Sequence, residues 1–135
     1  MDVIRRNTDY AFRLIAGLAV NYGKPPIPAK QLAKNQGVSE PVACKLLQKL
    51  SSAKLVKSSM GAAGGFELAK EPGEINLHQV IRAIQGDLCF SQCVIHPKSC
   101  PNRPKCPVNK KLASLQKYIE ASLKEITLDK LLAGK

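Results

Sequence analysis

Between residues 87 and 107 the chain holds four cysteines and four prolines and follows neither a helical nor a strand period. Pro97, Pro101, Pro104 and Pro107 each lack an N–H and fix φ, so no long regular element runs through this block. The rest of the chain must fold on either side of it. This divides the sequence into residues 1–86, a cysteine-rich loop at 87–107, and a helix with a tail at 108–135. Cys89, Cys93, Cys100 and Cys106 form the pattern C-x3-C-x6-C-x5-C, while Cys44 lies apart. No secretion signal accompanies them. The apolar run Leu14–Val20 follows Arg5 and Arg6, but it is short, has Asp9 and Arg13 at its edge, and lacks a cleavage site. It is also too short to span a membrane. A cytoplasmic chain is expected, and with it reduced thiols rather than a disulfide framework.

Clustered thiolates in a reducing compartment suit a soft metal or an iron–sulfur cluster. Zinc sites commonly use paired C-x2–4-C knuckles, and here only the x3 interval fits. Cys100-Pro101 and Cys106-Pro107 resemble the Cys-Pro that closes ferredoxin loops. The spacing therefore favours an iron–sulfur cluster, with zinc second and a thiol redox switch third. His96 reads as a solvated loop residue, with ligation as the alternative. His78 reads as a surface residue opening a helix.

Upstream, Asn7 or Thr8 can cap a helix with Asp9 in its first turn, continued by Ala11, Leu14, Ile15, Leu18 and Tyr22 at helical spacing. Gly23, Pro25, Pro26 and Pro28 end it. A short helix follows over Ala29 to Gln36. Gly37 suits the left-handed position after a helix. Ser39 can then cap a third helix reaching Ser52, with Pro41 in its first turn. Helix, Gly-containing turn, capped helix is a helix-turn-helix pattern. Leu55 to Ser59 and Phe66 to Ala69 read as two strands around the tip Gly61-Ala62-Ala63-Gly64-Gly65, which makes a wing. Another helix starts at Asn76 or Leu77 and ends at Gly86. Beyond the cysteine loop, Val108, Leu112, Leu115, Ile119, Leu123 and Ile126 recur at heptad-like intervals on a long helix, which suggests dimerisation.

The charge agrees with a nucleic-acid partner. Net +11 is unevenly spread: residues 1–60 carry +7, residues 61–97 carry −2 and residues 98–135 carry +6. An electron carrier would need neither this charge nor a wing. No Ser–His–Asp arrangement or paired carboxylates support hydrolytic catalysis, so no enzyme is expected.

Taken together, these features resemble the Rrf-two (Rrf2) family of bacterial winged-helix transcription regulators, in its iron–sulfur-sensing members of the IscR, NsrR and RirA type. The resemblance covers essentially the whole chain. It is carried by Thr8-Asp9-Tyr10-Ala11 with Arg13, by Leu32-Ala33 to Val38-Ser39, by Gly61 to Ala69, by the cysteine loop and by Ile126-Thr127-Leu128. It implies a mainly α winged helix-turn-helix with a small β-hairpin, assembled as a homodimer through its long C-terminal helix. Three family ligands match Cys93, Cys100 and Cys106. The fourth stays open. Asn109 stands where some members place a His; Asp9 matches a carboxylate that others donate from the partner's first helix; Cys89 is a further thiolate, and His96 stands behind both. The resemblance places [4Fe–4S] ahead of [2Fe–2S].

The implied function is a DNA-binding transcription regulator, acting as a repressor on a double-stranded operator. Its affinity would follow a cluster that senses nitric oxide, redox state, iron or cluster supply. The alternative is a zinc-stabilised or cluster-free regulator that senses through thiols or a partner protein. Ser39, Glu40, Pro41, Cys44 and Lys45 would face the major groove, because the first turns of a recognition helix read bases. Lys49, Lys54, Lys57, Arg5 and Arg6 suit phosphates, with Gly61 and Gly64 at the wing tip against the backbone. Lys30 and Lys34 are equally read as solvated charges. Met60 replaces the family's usual wing arginine, and Cys44 replaces a glutamate that discriminates between sites. Cys44 itself has three readings: helix packing, groove contact or reactive thiol.

Overall fold

The computed structural model describes residues 2–96, 98, 100–101 and 105–134. Pro97 and Pro104 lie outside them. The order is α1 (Arg6–Val20), α2 (Ala29–Gln36), α3 (Glu40–Ser52), β1 (Val56–Ser59), β2 (Gly65–Leu68), α4 (Leu77–Gln85), α5 (Gln92–Ile95), α6 (Pro107–Glu125) and α7 (Leu128–Leu132). A 3₁₀ turn at Pro72–Glu74 precedes α4.

The core forms where the apolar stripes of α1, α2 and α3 meet. Ala11, Leu14, Ile15 and Leu18 from α1 join Leu32 and Ala33 from α2 and Ala43, Leu46, Leu47 and Leu50 from α3. Ala33 and Ala43 keep the helices close because they carry only a methyl group. Gly37 makes the turn at φ +66 and ψ +34, a left-handed conformation that costs glycine little. Ser39 stands at the start of α3 in extended conformation, but its side chain makes no capping hydrogen bond. Glu40 in the first turn meets the helix dipole instead.

β1 and β2 pair antiparallel with Val56 opposite Leu68 and Lys57 opposite Glu67. β1 starts one residue later than the sequence pattern suggests, and β2 is shifted one residue earlier at both ends. A third backbone segment joins them. Ile27 bridges Phe66 through two hydrogen bonds, N–H to O at 3.0 Å and 2.8 Å. This contact ties the chain before α2 to the wing. Helix-turn-helix plus wing makes the fold a winged helix.

α4 begins with a reciprocal capping box, in which the Gln79 amide donates to Asn76 Oδ1 and the Asn76 amide donates to Gln79 Oε1, both at 2.9 Å. Two expectations need correction. The first helix starts at Arg6, before Asn7 and Thr8, and neither residue caps it. Thr8 is instead buried, its hydroxyl spent on α4. The cysteine block, expected to be without helix, holds the single-turn α5. Downstream, α6 packs on α4 and α5. The chain then returns to the N-terminal core: Leu128 is buried there, its amide donating to Ile75 O at 2.9 Å. No helix among the described residues is long and apolar enough to cross a membrane.

Candidate DNA-binding face and cysteine loop

The buried side chains of α3 define its free side. Ala43, Leu46, Leu47 and Leu50 point inward, so Pro41, Lys45, Gln48 and Ser52 centre the opposite, exposed face. Ser39 and Glu40 are exposed at its start, and Lys49 is exposed along its edge. Cys44 is half-buried, between the inward stripe and the open face. The structure thus brings together Ser39, Glu40, Pro41 and Lys45, with Cys44 at their margin. Gln48 did not stand out in the sequence. It lies seven residues after Pro41 and three after Lys45, a spacing that marks the same face, and its carboxamide can donate to and accept from a base edge.

Lys49 reaches beyond α3. With Arg5, Arg6, Asn7 and Thr8 it lines a groove of about 330 Å³. Three cations therefore share one groove at the start of α1. Lys57 is placed differently. It pairs with Glu67 across the hairpin at 3.1 Å, so part of its charge is already matched. At the wing tip Met60 is 98% exposed, and Gly61 holds φ +99. A Cβ on Gly64 would stand 2.4 Å from Ser59 O, so the tip closes only with glycine there. Lys54, two residues past α3, holds φ +63 and is exposed, as are Lys30 and Lys34.

The cysteine loop rests on α6 through polar contacts. Asn109 and Gln116 are the side chains of α6 described as buried. Asn109 Nδ2 donates to Cys93 O and to Cys93 Sγ, both at 3.2 Å. Gln116 Oε1 accepts from the Phe90 amide at 3.5 Å. Ser91 Oγ lies 3.1 Å from Cys93 Sγ. Asn109 therefore fixes the backbone and sulfur of one candidate ligand. Cys89, Cys93, Cys100 and Cys106 are all half-buried and none is in a disulfide. Four such thiols within 18 residues form a donor set with the softness an iron–sulfur cluster requires. They are not gathered at one point: among the described residues no three Cys, His, Asp or Glu side chains stand close enough to hold a metal ion.

Asp9 lies on the exposed side of α1, held by Arg13 at 3.0 Å, and Arg13 also lies over the Tyr10 ring at 5.2 Å. His96 follows α5, its amide bonded to Gln92 O at 2.8 Å. His78 stands in the first turn of α4, as the sequence suggests. It is half-buried, and burial, followed by the charge of Lys124 on α6, lowers its pKa below 6.5.

The comparisons with known proteins agree with this architecture. Residues 4–134 match the family described as Rrf2, Iron-dependent Transcriptional regulator. The HTH-type transcriptional regulator IscR of Vibrio atlanticus (strain LGP32) is 29% identical over 124 residues, covering 91% of this chain and 70% of its own. The HTH-type transcriptional regulator CymR of Bacillus subtilis (strain 168) is 34% identical over 79 residues, covering 58% of this chain and 57% of its own. Among solved structures, T. potens IscR superposes with TM-score 0.77 at 32% identity, covering 97% of this chain and 86% of that one. CymR, the global cysteine regulator of B. subtilis, gives TM-score 0.79 at 25% identity, covering 100% and 99%.

Proposed function

Because the chain belongs to the Rrf2 family of transcriptional regulators, we propose that it represses transcription from a double-stranded DNA operator under control of an iron–sulfur cluster. The observation that carries this is the cysteine loop: four half-buried thiols outside any disulfide, with Cys93 bonded by Asn109 to the helix that follows. Cys93, Cys100 and Cys106 are the proposed ligands. The fourth is Asp9 from the partner protomer or Cys89, with His96 behind them. The [4Fe–4S] form is favoured over [2Fe–2S]. When bound, the cluster supplies a multidentate tie that is sensitive to nitric oxide, oxidants and iron supply.

The chain's own residues do the rest. Asn109 and Gln116 hold the loop on α6. Val108, Leu115 and Tyr118, exposed by 61%, 46% and 70%, offer α6 to a second copy of this chain as a homodimer. Two copies then present two α3 faces to two half-sites, as dimeric helix-turn-helix proteins do. Ser39, Glu40, Pro41, Cys44, Lys45 and Gln48 read bases. Arg5, Arg6 and Lys49 take phosphates, with Lys54, Lys57 and the tip glycines Gly61 and Gly64 beside them. A loop that is tied or released shifts the dimer between two arrangements of these faces.

A second reading draws on the dispersed thiols and on CymR among the relatives: regulation by the thiols themselves or by a partner protein, with or without structural zinc. The experiment that separates the two is anaerobic purification, with the visible spectrum and with iron, sulfide and zinc counted per chain. Brown protein with iron and sulfide in similar amounts is the expected result. One zinc per chain in colourless protein would overturn the cluster reading. Absence of any metal after attempted reconstitution would favour thiol or partner control.

A further inference from the structure

One side chain joins the N-terminal arm to the hinge of the cysteine loop. Gln85 is the last residue of α4. Gly86 follows at φ +83 and ψ −153, a conformation open to glycine and costly for other residues, and the loop starts there. The Gln85 carboxamide faces back toward the arm. Its Oε1 accepts from the Arg5 amide at 3.0 Å and from Thr8 Oγ1 at 2.7 Å. Its Nε2 donates to Val3 O at 2.8 Å. Thr8 is fully buried, so its hydroxyl depends on this partner. α1 has no side-chain cap of its own at Arg5, and Gln85 takes that place from outside the helix.

The surroundings lie on two sides of this amide. On one, Val3, Arg5, Gln85, Asp87 and Cys89 line a cavity of about 160 Å³ shared by arm and loop. On the other, Arg5, Arg6 and Lys49 line the cationic groove with Gln85. A backbone shift at Gly86 therefore acts on Gln85 first, and through it on the residues that carry Arg5 and Arg6.

We propose that Gln85 is a latch coupling the conformation of the loop at residues 87–95 to the N-terminal arm at residues 2–8. It is a positioning residue and touches neither DNA nor a loop ligand itself. The proposal extends the regulatory reading above by naming a route, within one protomer, from the loop to the phosphate-facing cations.

The test uses the full chain, metal-free, in a Cys44→Ala background so that iodoacetamide reaches only loop thiols. Amide hydrogen exchange is followed in the arm before and after alkylation. Alkylation is expected to speed exchange at the Arg5 amide by about tenfold, the weight of one hydrogen bond. Gln85→Ala should show that fast exchange before alkylation, and alkylation should add little. Gln85→Glu keeps both Oε1 contacts, so the Arg5 amide should stay protected while the bond to Val3 is lost. Unchanged exchange at the Leu46, Leu47 and Leu50 amides shows that each variant is folded. An arm that ignores alkylation, or a folded Gln85→Ala that responds as fully as the parent, overturns the latch. Neither metal nor DNA enters this measurement, so its failure is distinct from failure of the cluster reading, which the iron and sulfide counts decide.

Discussion

Gly65 is where the wing meets the chain that precedes α2. A Cβ there would lie 2.4 Å from both C and O of Ile27 and 2.7 Å from Pro28 N. These are backbone atoms that cannot step aside, and they belong to the bridge with Phe66. Gly65→Ala must therefore break that bridge or push the hairpin off. A loss of about 1–3 kcal/mol is expected, the usual range for overpacking at a tight site, read from the urea midpoint. Wild-type stability would show that the segment can move away freely. The sequence marked Gly65 as part of a flexible tip and stopped there. Its real requirement is close approach to a residue distant in the chain, which local turn chemistry cannot report. Gln85 and Gln48 were hidden for related reasons. A glutamine carries no charge or period to flag it, and its role is set by what the fold places beside it.

Among the elements, α6 shows most plainly what a pattern can and cannot give. Its heptad-like seam is present, yet Val108 and Leu115 on that seam are exposed in the single chain, while Asn109 and Gln116 are buried. An apolar period records every surface that is ever covered, including surface covered by a partner. The polar contacts that hold the cysteine loop leave no such period. Asn109→Ala removes two donations to Cys93. Cys93 should then alkylate several-fold faster, on the scale of a lost hydrogen bond of about 1 kcal/mol, followed by mass spectrometry of the loop peptide. An unchanged rate would show that Asn109 does not hold the loop. The α4–α6 contact has a pH signature as well. His78 is held neutral by burial and by Lys124, against the opposing pull of Glu120 and Asp87. The unfolded chain takes up a proton near pH 6.5 while the folded chain resists. Stability is therefore complete above that pH and falls as pH drops through it. His78→Gln should flatten this part of the urea-midpoint profile between about pH 7.5 and pH 5.5. An equally steep fall in the variant would assign the titration to other groups.

For the whole molecule, the uneven charge of the sequence becomes a statement about DNA. Within the +7 of residues 1–60, Arg5, Arg6 and Lys49 share one groove, and Lys45 lies on the exposed face of α3. Counterion release makes the salt dependence of affinity count phosphates: the log–log slope changes by about 0.9 for each contact on B-DNA. A homodimer on two half-sites uses every contact twice. Lys49→Ala should then reduce the slope by about 1.8, twice the single-contact value. Lys57→Ala should change it less, because Glu67 already neutralises part of that charge at 3.1 Å. Glu67→Gln should have the opposite effect, releasing Lys57 to a phosphate and steepening the slope. The same titration reads the assembly. Leu115→Glu puts a charge on the open face of α6, and a variant that sediments as a monomer should lose about half of the total slope on a single half-site. A Lys49→Ala change near 0.9 in protein that sediments as a dimer would mean that only one protomer engages its groove. The two-fold arrangement proposed for the α3 faces would then be wrong, even with every contact within each protomer correct.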